Sequence, residues 1–432
     1  MLISQDEANI KHVASELAWD MVTFYTGNNT GDTPGNLPEP YYWWEAGAFF
    51  GTLINYWYYT GDTTYNNITM QALLHQASPT ADFMPPNQTR TEGNDDQAFW
   101  AFSAMRAAEL NFDNPPDDQP SWLALVQAVF NQQAGRWNTE QCNGGLKWQI
   151  YSFNNGYNYR NAISNGCFFN IAARLARYTG NDSYTEWAEK AWDWTSAVGI
   201  IGPKMEVFDG TSDTSNCTSM NHRQWTYNNG VFLHGAAHMW NYTGDEKWKQ
   251  RIDGLLDAQS VFLSQNASSK NVLYESICEL WGTCRTDQFS FKGYLARWMG
   301  DTVKLAPWTR STIVTRLQAT AKAATAQCVG GKTGTYCGMK WTTGTYDGNT
   351  GVGEQMSALE FVQATLLDTV SGPMTTRTGG TSKGDGAAGT GSDADKNPAE
   401  LKPITTADRV GAGIATVVIT LMIIGWTYLM II

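Results

Sequence analysis

The sequence predicts an all-α fold, a closed ring of six helical hairpins known as an (α/α)6 barrel. A four-residue phrase recurs between helix-like segments: YTGD from Tyr59, YTGN from Tyr178, YTGD from Tyr242 and WMGD from Trp298. Glycine commonly ends a helix, and the Asp or Asn after it commonly caps the next one. Each phrase is therefore predicted to be a hairpin elbow, and a fifth elbow is predicted in the Pro-rich stretch at 110–122.

Twelve segments with helix-like apolar periodicity lie on this frame. They cover residues 5–26, 41–59, 62–76, 95–110, 120–135, 160–178, 182–197, 225–242, 246–263, 287–299, 307–327 and 351–369. The long connections fall at the end opposite the elbows, at 77–94, 136–159, 198–224, 264–286 and 328–350. The inner helices would start at 41, 95, 160, 225, 287 and 351. Their N-termini would open onto this loop-rich end, where we expect the binding cleft.

The composition favours a cleft lined by aromatic rings over a surface for nucleic acid. Aromatic residues make up 13% of the 432-residue chain, with 19 Trp and 19 Tyr, which is more than one core usually takes. Charged residues are only 16%, the formal net charge is −12, and no cluster of Lys or Arg stands out. We therefore expect no nucleic-acid partner.

The seven cysteines suit an oxidising compartment. Cys278 with Cys284, and Cys328 with Cys337, form short-loop pairs that are predicted to be disulfides. The other three, at 142, 167 and 217, cannot all pair with one another, so at least one thiol is left over. No C-x-x-C spacing occurs, which argues against a zinc site.

A second candidate for metal binding is the histidine pair His234 and His238, which are spaced i, i+4. They lie inside a predicted inner helix, without the Glu of an H-E-x-x-H motif and without an obvious third ligand. Packing is the preferred interpretation, so we predict neither a metal nor a cofactor.

Two features place the chain in the secretory pathway. Seven N-x-S/T sequons, more than we expect of a cytosolic protein, occur at Asn28, Asn67, Asn87, Asn181, Asn216, Asn241 and Asn266. The uncharged C-terminal run 410–432 is long enough to span a bilayer. A small-residue stretch and a polar spacer precede it, which is the pattern of a GPI-attachment signal, with cleavage predicted between Gly389 and Ala394. A plain tail anchor is the alternative.

These features predict three parts. Residues 1–370 form the (α/α)6 domain, 371–409 form a flexible stalk with the GPI attachment region, and 410–432 form a hydrophobic signal that is removed. We expect the protein at the cell surface, on the outer leaflet of the plasma membrane. The opening MLISQDEANI is no signal peptide, so we expect the natural chain to start further upstream.

The stretch RTEGNDDQAFW at 90–100 places Asp95 and Asp96 in the first turn of an inner helix. Asn94 is predicted to be the N-cap, with Gln97 completing a capping box. Such acids can simply favour the helix dipole. Facing the cleft, however, the two carboxyls would lie about 5–6 Å apart, as in retaining glycosidases. The helix N-terminus would lower the pKa of the nearer aspartate, which suits a nucleophile, and the other would keep its proton, which suits a general acid.

Residue types that bind sugars surround this pair. Trp43 and Trp44 start an inner helix, where they would stack on sugar rings or pack in the core. The stretch 153–161 offers amides and phenols for hydroxyl recognition, although Asn-Asn-Gly is also turn chemistry. Asp209, in VFDG, is read as a turn residue slightly ahead of a hydroxyl-binding carboxylate. The predicted substrate-binding set is Trp43, Trp44, Asn94, Gln97, Asn154, Asn155, Tyr157, Tyr159, Arg160, Asp209, Trp225, Tyr227 and Asn228.

Three stretches carry a family resemblance: EGNDDQAFWAFSAMRAAE, GGLKWQIYSFNNGYNYRNAISNGCFFNIAARLARYTGN and WTYNNGVFLHGAAHMW. The chain resembles glycoside hydrolase family 76, in particular its fungal, GPI-anchored, mannan endo-1,6-α-mannosidase-like branch. The resemblance implies an (α/α)6 barrel and a retaining mechanism on α-1,6-mannosides, with Asp95 as nucleophile and Asp96 as general acid/base. It also implies partners: a mannose-containing glycan (α-1,6-mannan or the GPI glycan) as donor and cell-wall glucan as acceptor. The alternative function is a non-catalytic, mannan-binding cell-wall protein.

Overall fold

The structure is a computed structural model that describes residues 6–390 and 406–431. In the first range, twelve α-helices form the domain: α1 Glu7–Val22, α2 Trp43–Thr60, α3 Asn66–Gln76, α4 Asn94–Leu110, α5 Trp122–Gly135, α6 Ala162–Thr179, α7 Asp182–Ala197, α8 Thr226–Thr243, α9 Glu246–Ala258, α10 Thr286–Leu305, α11 Arg310–Ala326 and α12 Val352–Ala364. Three short strands, β1 Tyr159–Asn161, β2 Gly210–Ser212 and β3 Met220–Asn221, form an antiparallel sheet in the order β1-β2-β3.

The even-numbered helices form a closed inner ring. Helix α2 packs on α4, α4 on α6, α6 on α8, α8 on α10, α10 on α12, and α12 returns to α2. The odd-numbered helices lie outside this ring, each against an inner neighbour. Small residues allow the inner helices to approach closely: a Cβ on Gly166 would lie 2.5 Å from Val231, and one on Gly293 would lie 2.9 Å from Ser357. The predicted (α/α)6 barrel is therefore confirmed.

The elbows show why the chain folds into hairpins. Gly61, Gly180 and Gly244 follow α2, α6 and α8 with φ of 80°, 72° and 66°, the left-handed conformation that suits glycine. The side chains of Asn181 and Asp245 then cap α7 and α9 by accepting backbone N–H groups. Three of the four predicted YTGD-type elbows are therefore confirmed.

The fourth predicted elbow, WMGD from Trp298, is wrong. Helix α10 continues through Gly300 and ends at Leu305, shortly before Pro307. Gly300 serves close packing, because a Cβ there would lie 3.1 Å from the Tyr59 hydroxyl. Asp301 caps no helix and instead accepts a hydrogen bond from the buried Arg106 guanidinium at 2.5 Å.

A buried ionic network runs through the middle of the ring and uses all six inner helices. Its members are Asn55, Arg106, Glu109, Asn170, Arg174, His234, His238, Arg297, Asp301 and Glu360. Arg174 pairs with Glu109 at 2.6 Å, and Arg297 pairs with Glu360 at 2.7 Å. The two imidazoles of His234 and His238 contact each other at 3.1 Å, and His234 lies 3.2 Å from Asp301. The histidine pair thus belongs to this network.

Three disulfides tie the loops at the cleft end. Cys278–Cys284 and Cys328–Cys337 are formed as predicted. The third, Cys142–Cys217, joins the connection before β1 to the connection that carries β2 and β3. The leftover thiol is Cys167, which is buried in α6.

The segment after the barrel differs from the predicted flexible stalk, because residues 373–390 pack along the barrel wall. We call this segment the strap. At the elbow end, the Met374 N–H donates to the carbonyl of Glu109, and the Thr376 N–H donates to that of Tyr178. The strap then follows α5 toward the cleft end, where Asn131 donates to the carbonyls of Gly386 and Ala388. The described part of the compact unit thus includes residues 371–390 and does not end at 370.

Residues 406–431 form one further helix, α13 Thr406–Ile431. Its segment Arg409–Thr427 is long and apolar enough to cross a membrane. Most of the predicted cleavage window, Gly389 to Ala394, lies outside the described residues; Gly389 and Thr390 alone fall within them.

Candidate active site

The site forms where α4 begins. Gly93, rather than the predicted Asn94, is the N-cap residue, and its N–H donates to Asp96 Oδ2 at 2.6 Å. A side chain on Gly93 would clash, because a Cβ there would lie 2.4 Å from Asp95 Oδ1. Asn94 is instead the first helical residue, and its side chain donates to the carbonyl of Lys147 at 2.8 Å. Asp96 therefore makes the capping-box hydrogen bond that the sequence assigns to Gln97.

Gln97 is fully buried beneath the first turn of α4 and holds this turn in place. Its amide donates to the carbonyl of Asp82 at 2.9 Å and to Gln132 at 2.7 Å. Arg136 donates to Asn94 at 3.0 Å and to Gln97 at 2.7 Å. These contacts anchor the first turn of α4 to α5, so Asn94 and Gln97 position the helix and do not face the cleft as predicted.

Asp95 is held by hydrogen bonds at both carboxylate oxygens. Oδ1 accepts the Asp96 N–H at 3.1 Å, and Oδ2 accepts the Asn161 amide at 3.1 Å. Asn161 is itself fixed as the N-cap of α6. Asp95 is only 7% exposed, and this burial raises its pKa to about 7, although both hydrogen bonds favour the ionised form. The predicted lowering by the helix N-terminus is therefore outweighed by burial.

Asp96 has a different environment. One oxygen accepts the Gly93 N–H, while the side chain lines two neighbouring cavities. Burial and the negative charge of Asp95 raise the pKa of Asp96 well above its ordinary value. Of the two carboxyls, Asp95 has the fuller set of hydrogen-bond donors and Asp96 the stronger reason to keep its proton. The raised pKa of Asp96 has the expected direction, whereas the raised pKa of Asp95 is opposite to the lowering expected of a nucleophile at a helix N-terminus.

Two cavities meet at this pair. The first, which we call the catalytic pocket, has a volume of about 210 Å³ and is lined by Trp44, Asp95, Asp96, Phe99, Trp148, Tyr159, Asn161, Ile163, Asp209, Tyr227, Asp287 and Phe291. The second, which we call the side cavity, has about 430 Å³ and is lined by Tyr42, Trp43, Trp44, Gln88, Thr91, Glu92, Asp96, Trp148, Gln149 and Asp287. Asp95 lines only the catalytic pocket, whereas Asp96 lines both cavities.

A third cavity, of about 420 Å³, continues the side cavity along the surface. The two share Tyr42, Trp43 and Gln88. The remaining lining residues come from the connection between α1 and α2, at Asn36, Leu37, Glu39, Pro40 and Tyr41. The cleft is thus a pocket on one side of the aspartate pair and an elongated groove on the other.

Asp209 lines the catalytic pocket as a hydrogen-bond centre. Its carboxylate accepts from the Tyr159 hydroxyl at 2.7 Å, the Trp225 indole at 2.9 Å and the Asn221 amide at 3.0 Å. The sheet explains this position, because β1 and β2 pair Asn161 with Gly210. Asp209 therefore lines the wall of the cleft and is more than the turn residue that the sequence slightly favoured.

Five of the predicted substrate-binding residues line the cavities: Trp43, Trp44, Tyr159, Asp209 and Tyr227. Trp43 donates to Gln76 at 2.8 Å, so its ring is held in place. Tyr227 stacks on Phe291 with ring centres 3.7 Å apart. Trp43 and Trp44 line the cleft and also pack against the hydrophobic core.

The other predicted residues do not line these cavities, and several of them make structural contacts instead. Arg160 is fully buried in β1, not in α6 as predicted, and it pairs with Asp213. Asn154 donates to the carbonyl of Arg90, and Tyr157 lies under the Lys147 ammonium at 4.0 Å. The remaining three do not line the cavities either: Asn155 is exposed, Trp225 supports Asp209, and Asn228 is buried.

Sequence reasoning missed Glu92, Trp148 and Asp287. Asp287 lies in the first turn of α10 and lines both cavities. The position of Asp287 was an available signal. Asp95 and Asp96 were identified because they are acids in the first turn of an inner helix, and Asp287 meets the same criterion. Glu92 precedes the N-cap of α4, and Trp148 lies in an irregular connection, so only the folded structure reveals their place.

Comparisons with known proteins agree with this geometry. The family model of glycosyl hydrolase family 76 matches residues 9–377. The chain belongs to glycoside hydrolase family 76. A curated relative, mannan endo-1,6-alpha-mannosidase DCW1 of Candida glabrata, is 47% identical over 423 residues, covering 97% of this chain and 93% of that protein. This family 76 member is thus a mannosidase-like glycoside hydrolase.

Solved structures of the family show the same fold. The crystal structure of Dfg5 from Chaetomium thermophilum, in complex with glucosamine, is 47% identical, with a TM-score of 0.87 over 90% of this chain and 97% of that one. An inactive double variant of the alpha-1,6-mannanase GH76A of Salegentibacter sp. HEL1_6, in complex with alpha-1,6-mannotetrose, has a TM-score of 0.67 at 18% identity, over 83% and 99% of the chains. At that identity the likeness concerns the fold alone.

Proposed function

We propose that this protein is a retaining glycosidase or transglycosidase of α-1,6-mannosides, with Asp95 as nucleophile and Asp96 as general acid/base. The observation that carries the proposal is the unequal setting of two adjacent carboxyls. Asp95 receives two hydrogen bonds and lines one cavity, whereas Asp96 lines two, and burial together with the charge of Asp95 raises its pKa well above the ordinary value. A nucleophile needs the first setting and an acid catalyst the second.

The names of related proteins support the choice of substrate. The fungal relatives that match over most of the chain are mannan endo-1,6-alpha-mannosidases. The Salegentibacter mannanase was solved with an α-1,6-linked mannose chain, in a variant described as inactive in which two consecutive aspartates are replaced. A pair of consecutive aspartates and an α-1,6-mannoside therefore occur together in the family.

In the first step, an Asp95 oxygen attacks the anomeric carbon of the mannose in the catalytic pocket. The bond from that carbon to the bridging oxygen breaks, and Asp96 gives its proton to the departing oxygen. The product is a mannosyl ester on Asp95. Because Asp96 lines both cavities, we place the bond that breaks at their junction, with the leaving group in the side cavity.

In the second step, Asp96 acts as a base. It removes a proton from water or from a sugar hydroxyl, whose oxygen attacks the same anomeric carbon and releases Asp95. Water gives hydrolysis and a sugar gives transfer. The elongated groove formed by the side cavity and its continuation offers room for a sugar acceptor, and this supports transfer.

We further propose that the donor is the mannose-containing glycan of a GPI anchor, with cell-wall glucan as acceptor. The protein would act at the outer face of the plasma membrane or in the wall, held by its own GPI anchor. The apolar helix at Arg409–Thr427 and the seven sequons support this placement.

The proposal predicts severe loss of activity in Asp95→Asn and in Asp96→Asn. We expect kcat to fall by at least about a hundredfold in each, because one variant lacks the nucleophile and the other the proton donor. The matched controls are Asp117→Asn and Asp118→Asn, a second Asp-Asp pair that is exposed at an elbow and should retain full activity. Release of mannose from an α-1,6-mannooligosaccharide measures the effect, with thermal melting to verify folding.

A covalent trap separates this proposal from a non-catalytic, mannan-binding role. A fluorinated mannoside should label Asp95, as seen by mass spectrometry of the peptide that contains it. Sugar binding with neither label nor turnover would support the binding role instead. Analysis of products formed with a labelled glucan acceptor then distinguishes transfer from hydrolysis.

A further inference from the structure

One loop at the cleft end exposes apolar side chains to solvent. Trp281 is 76% exposed, which makes it the most exposed large apolar side chain among residues 6–390, and its neighbour Leu280 is 59% exposed. Ile277 is 37% exposed. We call residues 276–285 the apolar loop. Single apolar residues are common on protein surfaces, but three within one short loop indicate a surface that contacts a partner.

A disulfide fixes the shape of this loop. Cys278 pairs with Cys284, so that only five residues lie between the two. The Thr283 N–H also donates to the carbonyl of Cys278 at 3.1 Å. A loop closed this tightly has little conformational freedom, so it loses little entropy when it meets another surface. The side chains of Leu280 and Trp281 are therefore already presented to a partner.

The charge of the apolar loop differs from that of the whole chain, whose net charge is −12. Its one acid, Glu279, is turned inward, where it is 1% exposed and accepts the Lys292 ammonium at 3.0 Å. Arg285, in contrast, is exposed. The Lys340 ammonium lies beside the loop, because a Cβ on Gly282 would lie 3.2 Å from it. The outer surface of the loop is therefore apolar with cationic neighbours.

This combination fits a lipid surface better than a sugar. Tryptophan is enriched at the boundary between membrane and water, and Lys or Arg beside it can pair with lipid phosphates. A sugar site needs polar groups for the hydroxyls beside its aromatic ring, whereas Leu280 and Ile277 have no polar side-chain atoms. The chain also carries a segment, Arg409–Thr427, that is long and apolar enough to cross a membrane. A membrane is therefore the apolar partner that the sequence itself indicates.

We propose that the apolar loop inserts Leu280 and Trp281 into the interface of a phospholipid membrane. Arg285 and Lys340 then lie at the level of the lipid phosphates. Asp287, which lines both the catalytic pocket and the side cavity, follows Arg285 by two residues, so insertion of the loop turns the cleft end toward the membrane. That the cleft then receives membrane-linked glycans rests on the proposed function; the contact of the loop with lipid does not.

Photolabelling of the full chain in phosphatidylcholine vesicles tests this contact. A diazirine on the lipid acyl chain reacts with protein groups that enter the apolar part of the bilayer, and mass spectrometry of reduced, digested protein locates the adducts. We expect label on the apolar loop as well as on α13. Trp19, 61% exposed on the outer helix α1, is the internal control and should stay unlabelled. A labelled α13 without label on the loop, or equal label on Trp19, would overturn the proposal.

Variants show which side chains carry the insertion. Trp281→Ser should lower the labelling of the loop about tenfold, because burial of one large apolar side chain favours insertion by about that factor. Arg285→Gln should lower it severalfold, through the lost contact with phosphate. Trp19→Ser is the matched control and should leave the labelling of the loop unchanged, with thermal melting to verify folding. Full labelling of the loop in Trp281→Ser would contradict the proposal.

Turnover of a soluble α-1,6-mannooligosaccharide distinguishes lipid contact from sugar binding. The apolar loop lines none of the three cavities, so Trp281→Ser should retain full turnover. A raised KM in this variant would assign the loop to sugar binding and overturn the lipid contact. Asp95→Asn should lose turnover and keep the label on the loop. Normal turnover in Asp95→Asn with the loop still labelled would refute the catalytic assignment and leave the lipid contact standing.

Discussion

At the scale of single residues, the site works because burial sets the pKa values of its acids. Asp95 is tied by two hydrogen bonds, yet burial still raises its pKa to about 7. The neighbouring charge of Asp95 pushes the pKa of Asp96 upward in addition to burial. Because the two carboxyls are adjacent, ionisation of Asp95 makes it harder for Asp96 to lose its proton.

This arrangement predicts a bell-shaped dependence of kcat/KM on pH. Activity should fall as the pH drops below about 7, because Asp95 then gains a proton and cannot attack. It should also fall at high pH, where Asp96 loses the proton that it must donate. Initial rates on a soluble α-1,6-mannooligosaccharide measure both limbs.

Asp287→Asn provides the check on that assignment. The negative charge of Asp287 raises the pKa of both Asp95 and Asp96, so its removal should shift the acid limb to lower pH. An acid limb that stays in place, or moves upward, would contradict the assignment of this limb to Asp95. If Asp287→Asn changes KM without moving the acid limb, the proposed effect of Asp287 on the pKa of Asp95 has no support.

At the scale of elements, the first turns of the inner helices explain what could be predicted. Asp95, Asp96 and Trp44 were found because they start inner helices, which open onto the cleft. The same argument applied to every inner helix would also find Asp287 in α10. It would add Glu45 in α2 and Glu354 in α12 as well, which are buried and line none of the three cavities. Position in the first turn of an inner helix therefore indicates candidate residues but does not separate the site from the core.

Other elements left no readable pattern. The sheet that places Asp209 beside the catalytic pocket has strands of only two or three residues, too short for alternation to show. The strap lacks aromatic residues, and its bonds run largely through backbone groups, as at Met374 and Thr376. The composition of this segment therefore suggests a flexible stalk. Only the folded structure shows that residues 373–390 pack against the barrel.

The strap predicts a stability effect at Gly380. A Cβ on this residue would lie 2.5 Å from the Tyr178 hydroxyl and 3.0 Å from the Thr375 backbone. Gly380→Ala should therefore lower the free energy of unfolding by about 1–3 kcal/mol. Gly386→Ala is the matched control, since a Cβ there meets nothing within 4 Å. Thermal melting of the full chain measures the difference, and equal melting temperatures would show that the strap does not stabilise the barrel.

At the scale of the whole molecule, the ring encloses charge as well as apolar side chains. The network beneath the cleft links all six inner helices, so each of its ion pairs depends on closure of the barrel. Buried pairs of this kind stabilise a fold only while both partners remain, because a lone buried charge is costly. The network therefore couples the helices to one another.

Asp301→Asn should show this coupling. Asp301 is 4% exposed and accepts from Arg106 at 2.5 Å, and His234 also contacts it. Its substitution leaves Arg106 underpaired and should cost about 3–5 kcal/mol of unfolding free energy. Urea unfolding at pH 7 measures the loss. Asp368→Asn breaks the exposed pair with Arg310 and should cost less than about 1 kcal/mol.

The pH dependence of that loss follows from the direction of the pKa shift. The charge of Arg106 and hydrogen bonds from His234 and Arg106 outweigh burial and hold the pKa of Asp301 below its ordinary value. Its stabilising contribution is therefore complete at neutral pH and is lost as the pH falls through that depressed value. The gap between the natural chain and Asp301→Asn should narrow only in strong acid. A gap that is constant down to low pH would show that Asp301 is not the titrating group.

If the chain carries the proposed GPI anchor, the course of the strap limits how far the barrel can move from its point of attachment. Gly389 rests against the backbone of Ala128, at the middle of α5. Under the proposed GPI attachment, with cleavage no later than Ala394, at most four residues would lie between Thr390 and the GPI glycan, a peptide leash of at most about 14 Å. An inner helix such as α6, with its 18 residues, is about 27 Å long. So short a leash would confine each molecule to glycans presented on its own patch of membrane.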